Sequence, residues 1–346
     1  MQRWFSRFTG LMVLLIAAQL NAGSSDKRLD IYWIDVEGGA ATLIVTPSNE
    51  SVLIDSGNPG VRDPDRIVQT ATKIAGLRRI DHLVTTHYHR DHYGGATSLS
   101  QLLPIGTVYD NGIFEGMPDN PGKAYFEFQC DRRVVINPGD KIPLRALESD
   151  TRLTMRCLAA RKTFIEPAAN AVENQEICAA QRSKDRDGSD NANSVVLLLS
   201  FGPFRFYDGG DLTWNQEMRL VCPQNLVGEV DLYQVTHHGL DSSNNPILLS
   251  SLKPSVAVMN NGVTKGCLPE VFANLKQTKS LQAIYQVHKN LRPDGVNNNV
   301  LDEFIANHER DCAGNYIKLS VDPQGLTYTV SIPASGHEQT FQTKGK

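Results

Sequence analysis

From residue 29 onward, short apolar runs alternate with polar punctuation. "LDIYWIDV" (29–36), "ATLIVT" (41–46) and "SVLIDS" (51–56) are rich in β-branched and aromatic residues. Gly38-Gly39 and "PSNE" divide them, so they predict three strands. "DPDRIVQTATKIAG" (63–76) predicts a helix, with Pro64 in its first turn and Gly76 as its stop. "IDHLVTT" (80–86) reads as a strand and "GGATSLSQLL" (94–103) as a helix. Residues 110–192 are less regular, with strand-like "NPGDKIPL" and "TRLTMRCLAA" and a polar, exposed-loop stretch, "RSKDRDGSDNAN" (182–193). "SVVLLLS" (194–200) and "FRFYDGGD" (204–211) predict two strands, followed by a helix from Leu212 to about Leu220. Strand-then-loop patterns recur in "EVDLYQVTHHG" (229–239), "PSVAVMNN" and "LQAIYQVH", and "NYIKLSVDPQGLTYTVSI" (315–332) reads as a hairpin around "DPQG". Strands in runs with helices between the later ones suggest two β-sheets with helices packed outside them. With no strong boundary inside residues 29–332, one domain is expected there.

The first residues follow a different pattern. Arg3 and Arg7 precede an apolar run, Leu11 to Ala18, that is too short to span a bilayer comfortably, and "LNA" ends at Ala22. This predicts a signal peptide over residues 1–22, cleaved on export, and a secreted or periplasmic protein. No later stretch is apolar enough to cross a membrane, so no integral membrane segment is expected after cleavage. The formal net charge of -4 gives no overall attraction to nucleic acid, and no basic run interleaves with aromatic residues. The cysteine count is even at 6, which suits disulfides in an exported chain, and spacing does not choose the pairing. No C-x-x-C occurs.

The densest chemistry lies in "TTHYHRDHYGG" (85–95), where His87, His89, Asp91 and His92 spell H-x-H-x-D-H. At a strand end, residues i and i+2 point the same way, so His87 and His89 can share one cation. Asp91 and His92 follow as the chain turns and can reach a second. Imidazole and carboxylate donors suit zinc, with manganese and iron as alternatives, so two divalent metal ions are expected. The remaining ligands should come from later strand ends. Asp211, closing "FYDGGD", can bridge two cations, and Asp208 is its local competitor. His237 and His238, in "VTHHG", offer one ligand and one neighbour. His288, ending "AIYQVH", is a candidate ligand or transition-state donor. His82 and His308 read as structural or surface residues, and His337 as part of the tail.

Taken together these segments resemble the metallo-β-lactamase superfamily, from about Asp30 to His288. More narrowly they resemble its competence-type subgroup, the domain found on DNA-uptake channels, and the phosphorylcholine esterases. The features that carry the resemblance are "IDVEGGAATLIV", Leu53-Ile54-Asp55-Ser56-Gly57, Asn191 to Ser194, Gly210-Asp211 and His237-His238-Gly239. The resemblance implies an α+β fold, an αββα sandwich of two mixed β-sheets flanked by helices, with two metals at one edge. It also favours His238 over His237 as the ligand and gives Asp55 a supporting place near the metal loop. The chain departs from the β-lactamases proper in having no histidine between Tyr93 and Gly210. His238 could complete the first site and His288 the second. Cys267 stands where related competence-type sequences carry a histidine, as a soft ligand or as a buried or disulfide-bonded thiol.

Two adjacent cations lower the pKa of a bound water, so hydrolysis needs no nucleophilic Ser or Cys. Asp91 is the expected catalytic carboxylate, orienting that water and accepting its proton. The expected substrate is a small molecule or phosphoester, a phosphodiester first. Hydrolysis of a β-lactam or lactone is the alternative enzyme reading, and a non-catalytic binding protein of the same fold is the third. Nucleic acid is a conceivable substrate without support in the composition.

Overall fold

A computed structural model describes residues 26–145, 153–169, 171 and 173–345. The expected signal peptide at 1–22 lies outside the described residues. Among those described are two nine-stranded sheets. The first runs, edge to edge, through His337–Gln342, Thr327–Ile332, Ile317–Val321, Leu29–Trp33, Thr42–Val45, Ser51–Ile54, Ile80–Val84, Ile105–Asp110 and Arg132–Val135. Its neighbours are antiparallel as far as Ser51–Ile54 and parallel from there on. The second sheet runs through Ile305–Asn307, Ala283–His288, Val256–Met259, Leu232–Gln234, Phe204–Asp208, Val196–Phe201, Leu153–Ala160 and Lys141–Ile142, with Thr163–Phe164 also paired to Leu153–Ala160. It too has a parallel half, from Phe204–Asp208 to Ile305–Asn307, and an antiparallel half.

Side-chain alternation along the strands builds four layers. Ile44 and Val84 face inward and pack with Trp33, Leu197, Phe206, Val256, Tyr285 and Leu319 between the sheets. Their neighbours Leu43 and Leu83 face outward and meet Ile67, Ala71 and Leu99 from the helical segments on that side. Across the molecule, Leu198, Tyr233 and Ala257 lie under Leu220, Leu248 and Val271 of the helices Trp214–Val221, Pro246–Leu252 and Pro269–Gln277. The αββα sandwich of two mixed sheets is therefore the observed architecture.

Several elements differ from expectation. The helix over 63–76 is an α-helix, Arg62–Gln69, that widens into a π-turn at Thr70–Ile74. Strands Ile105–Asp110 and Arg132–Val135 extend the first sheet, and the expected loop at 182–193 ends in a buried turn, Asp190–Asn193. Arg132–Val135 is a half-exposed edge strand, so it lacks the apolar signature of a central one. His337 is not in a tail: it opens the edge strand His337–Gln342, which pairs with Thr327–Ile332 and carries the sheet past residue 332.

The parallel halves place the chemistry. In open α/β sheets, the carboxyl ends of parallel strands are where side chains converge on a ligand. Ile80–Val84 leads to His87–His92, Phe204–Asp208 to Asp211, and Leu232–Gln234 to His237-His238. The Val195 amide donates to the Thr86 carbonyl at 2.9 Å, which ties the second sheet to the strand end beside His87.

Candidate metal centre

After Ile80–Val84 the chain bends at His87 and Tyr88, returns to extended backbone at His89 and then turns into a one-turn helix, Arg90–Tyr93. Gly95 permits that turn, since a Cβ there would collide with the Ser56 carbonyl. His87 and His92 are fully buried, and His89 is partly exposed. The two buried rings are held from behind. Thr86 Oγ1 lies 3.1 Å from His87 Nδ1, and Asp55 Oδ2 lies 2.7 Å from His92 Nδ1. Asp55 also accepts hydrogen bonds from the amide and hydroxyl of Thr86, so it fixes His92 and the strand end together. Such support on the far nitrogen sets tautomer and orientation for a ligand histidine.

The other donors arrive from the second sheet. Asp211 lies just past Phe204–Asp208, and its amide donates to Ser194 Oγ at 3.1 Å. Its Oδ2 sits among four imidazoles: 3.1 Å from His92 Nε2, 3.4 Å from His237 and His238 Nε2, and 3.8 Å from His87 Nε2. Asp91 Oδ2 approaches the same place from the other side, 3.3 Å from His238 Nε2 and 3.5 Å from His92 Nε2. The donors fall into two groups that share Asp211. One is His87, His89 and Asp211; the other is Asp91, His92, Asp211 and His238. His87 Nε2 is buried with no hydrogen-bond partner, an arrangement that is costly unless something accepts its lone pair. The residues thus fit two divalent cations that would share Asp211.

Electrostatics follow from this crowding. Burial opposes charge on His92, but Asp211, Asp55 and Asp91 outweigh it and hold its pKa well above the ordinary imidazole value. Burial and the neighbouring His92 hold His87 well below it. Burial would raise Asp91 and Asp211, yet the surrounding imidazoles keep both carboxylates below their usual range. Asp91 Oδ2 stands in the second donor group, where it can serve as a ligand or orient a bound water. Asp208, the competitor to Asp211, is pushed up to about 7 by burial and accepts from the Gly210 amide at 2.9 Å, outside both donor groups.

Not every expected residue converges here. His238 does, with Nδ1 3.2 Å from the Asn260 carbonyl and Nε2 in the site. His237 faces Asp211 from the rim, with its Nδ1 2.9 Å from Ser242 Oγ; burial lowers its pKa to about 4, so it is neutral at pH 7. Cys267 does not join: its Sγ packs 3.1 Å from Met259 Sδ and from Gln286 Nε2 in a buried apolar cluster, as a free thiol. His288 does not join either and groups instead with Asp35 and Cys312, because its strand lies two places beyond Leu232–Gln234 in the sheet. His82 pairs with Glu50 at 3.0 Å, as a structural histidine should.

Two residues escaped the sequence reading. Lys265 Nζ, with its side chain 36% exposed, pairs with Asp91. Asp119 Oδ2 lies 3.3 Å from His89 Nε2. Lys265 lies two residues before Cys267, but a lone lysine in a turn carries no signal of its own. Asp119 sits in an irregular loop for which only the fold supplies a neighbour.

The family model for the metallo-beta-lactamase superfamily matches residues 34–154, the stretch that contains the whole H-x-H-x-D-H segment. Over that stretch the chain is similar to the metallo-β-lactamase superfamily. Among curated relatives, competence protein ComA of Neisseria gonorrhoeae is 24% identical over 227 residues, covering 65% of this chain and 26% of that protein. Recombination protein 2 of Haemophilus influenzae is 23% identical over 255 residues, covering 73% and 27%. A metal-dependent hydrolase of Cupriavidus necator is 28% identical over 96 residues, covering 28% and 29%. The match thus spans about a quarter of the length of the first two relatives. Donors separated by more than a hundred residues meet at one edge because both sheets contribute strand ends to it.

Proposed function

We propose that this protein is an exported hydrolase of phosphoesters, with phosphodiesters as its preferred class. That it is a metal-dependent hydrolase rests on the family-model match over residues 34–154 and on the intact donor set. The finer reading is carried by one observation, the Lys265 ammonium on Asp91 at the partly exposed rim of the site. A cation there suits a substrate that brings negative charge to the cations.

His87, His89 and Asp211 would hold one cation and Asp91, His92, Asp211 and His238 the other. Bound there, the pair supplies an activated water at neutral pH and offsets charge on the phosphoryl oxygens. The chain's own residues do the rest. Asp55 and Thr86 keep His92 and His87 oriented. His237, neutral and anchored by Ser242, presents Nε2 beside Asp211 and can donate to or accept from a substrate oxygen. Lys265 pairs with Asp91 in the resting state and turns to a substrate anion. Asp119, from an irregular loop, reaches His89 at the rim, and Asn191, from the buried turn Asp190–Asn193, reaches His237. Export is supported by Arg3 and Arg7 ahead of the apolar run, and the Cys178–Cys222 disulfide suits an oxidising compartment.

Bis-p-nitrophenyl phosphate with added zinc or manganese tests the proposal. Turnover that His87→Ala and Asp211→Ala abolish supports it. No turnover of any phosphoester by metal-loaded protein refutes it, and faster turnover of nitrocefin would put the β-lactam reading first.

A further inference from the structure

Asp35, His288 and Cys312 form a third cluster that shares no residue with the two donor groups above, and their ligand atoms lie within 4.8 Å of one another. They come from three separate places. Asp35 follows Leu29–Trp33 in the first sheet, His288 closes Ala283–His288 in the second, and Cys312 lies in the segment that leads back to Ile317–Val321. Asp35 and His288 are fully buried, and Cys312 is partly exposed.

Each donor is prepared for a cation. His288 Nδ1 is 3.0 Å from the Lys289 carbonyl, which only an N–H can satisfy, so the lone pair is on Nε2. That Nε2 is buried and has no hydrogen-bond partner. Cys312 Sγ lies 3.1 Å from Asp35 Oδ2, while Asp35 Oδ1 accepts from the Glu37 amide at 2.9 Å. Arg66 lines the opposite side, 3.2 Å from Asp35 Oδ2 and 3.7 Å from Cys312 Sγ. As a thiol Cys312 donates to Asp35, and once it gives up its proton to a metal the carboxylate and thiolate together outweigh the single positive charge of Arg66. The bare imidazole lone pair is left facing them, and a dication satisfies all three.

We propose that Asp35, His288 and Cys312 bind a zinc-type divalent cation that staples the two sheets together through the 308–316 segment. One nitrogen, one oxygen and one sulfur donor suit zinc, and the partly exposed cysteine side leaves the fourth position to water. Binding releases the thiol proton to solvent and forms no other bond. This proposal does not rest on the phosphoester reading, because a thiolate ligand distinguishes this cluster from the all-imidazole and carboxylate centre.

Cobalt(II) substitution of the full-length chain tests it. The wild type is expected to show a near-ultraviolet sulfur-to-cobalt charge-transfer band, which Cys312→Ser removes together with one equivalent of metal. Cys267→Ser and Asp211→Ala should both retain the band. Absence of the band at saturating cobalt, or its survival in Cys312→Ser, overturns the proposal. A second arm needs no variant. Alkylation of Cys312 by iodoacetamide, read by peptide mass spectrometry, should slow at least about tenfold when zinc is added to metal-stripped protein. Equal rates with and without zinc overturn the proposal as well.

Discussion

The histidines at 87–92 and those at 237–238 serve the same centre by different backbone means. The first set sits on the bend that follows Ile80–Val84 and on a one-turn helix, so its side chains converge within one short stretch of chain. The second set sits on a tight turn in which His237 and His238 both adopt left-handed backbone, with φ of 56° and 54°. Each such residue costs about 1–2 kcal/mol. The turn is held by the His237 amide on the Gly210 carbonyl at 3.0 Å and by Asn244 Nδ2 on the Thr236 carbonyl at 2.8 Å. Support for the rings differs too. His92 leans on a side chain, Asp55, whereas His238 leans on a backbone carbonyl, that of Asn260. A local motif can thus supply half a metal centre at little strain, while the distant half needs a strained turn and a packed fold to aim it.

The comparison breaks most completely at the residue both halves share. Asp211→Ala should lower turnover by about 10³-fold or more and reduce bound metal at both positions, as read by elemental analysis. Full metal content in that variant would mean the halves bind independently.

Asp55→Asn attacks only the first half. Losing the carboxylate behind His92 should weaken metal binding by about 10–100-fold. Competition with a chromophoric chelator measures this, and unchanged affinity would show that Thr86 alone orients the loop.

Lys265→Gln leaves both halves intact and removes the charge at the rim. KM for an anionic phosphoester should rise about tenfold, the scale of one hydrogen bond to a charged group, with metal content unchanged. A neutral ester should show no such rise.

A last effect, read in stability and not in turnover, concerns the buttress of the second turn. Glu217 Oε2 accepts the Asn245 amide at 2.7 Å, and burial pushes its carboxyl up to about 7. A raised carboxyl binds its proton more tightly in the folded chain. It therefore adds stability at pH below its unfolded value, and that stability is lost as pH rises through about 7. Between those limits the wild type should lose on the order of 3 kcal/mol that Glu217→Gln does not lose, as urea denaturation at a series of pH values would record.

Much of this was legible along the chain. The strands at 29–56, 80–86 and 194–208 announced themselves because central strands buried on both faces are apolar and β-branched. The edge strands Arg132–Val135 and His337–Gln342 did not, because half-exposed edges carry charge and look like loops. His87, His89, Asp91 and His92 were readable because their spacing is local. Lys265 and Asp119 were not, because a single charged residue in a turn means nothing until the fold gives it a neighbour.

His288 marks the boundary most clearly. The sequence by itself determined that a histidine would end the strand "AIYQVH", since the apolar pattern fixes the strand and the strand fixes which residue closes it. Only the tertiary structure decided that this histidine faces Asp35 and Cys312 instead of Asp211. The choice depends on the order of strands across the sheet and on which loop packs beside each strand end. Those are set by contacts between residues hundreds of positions apart, which no local pattern encodes.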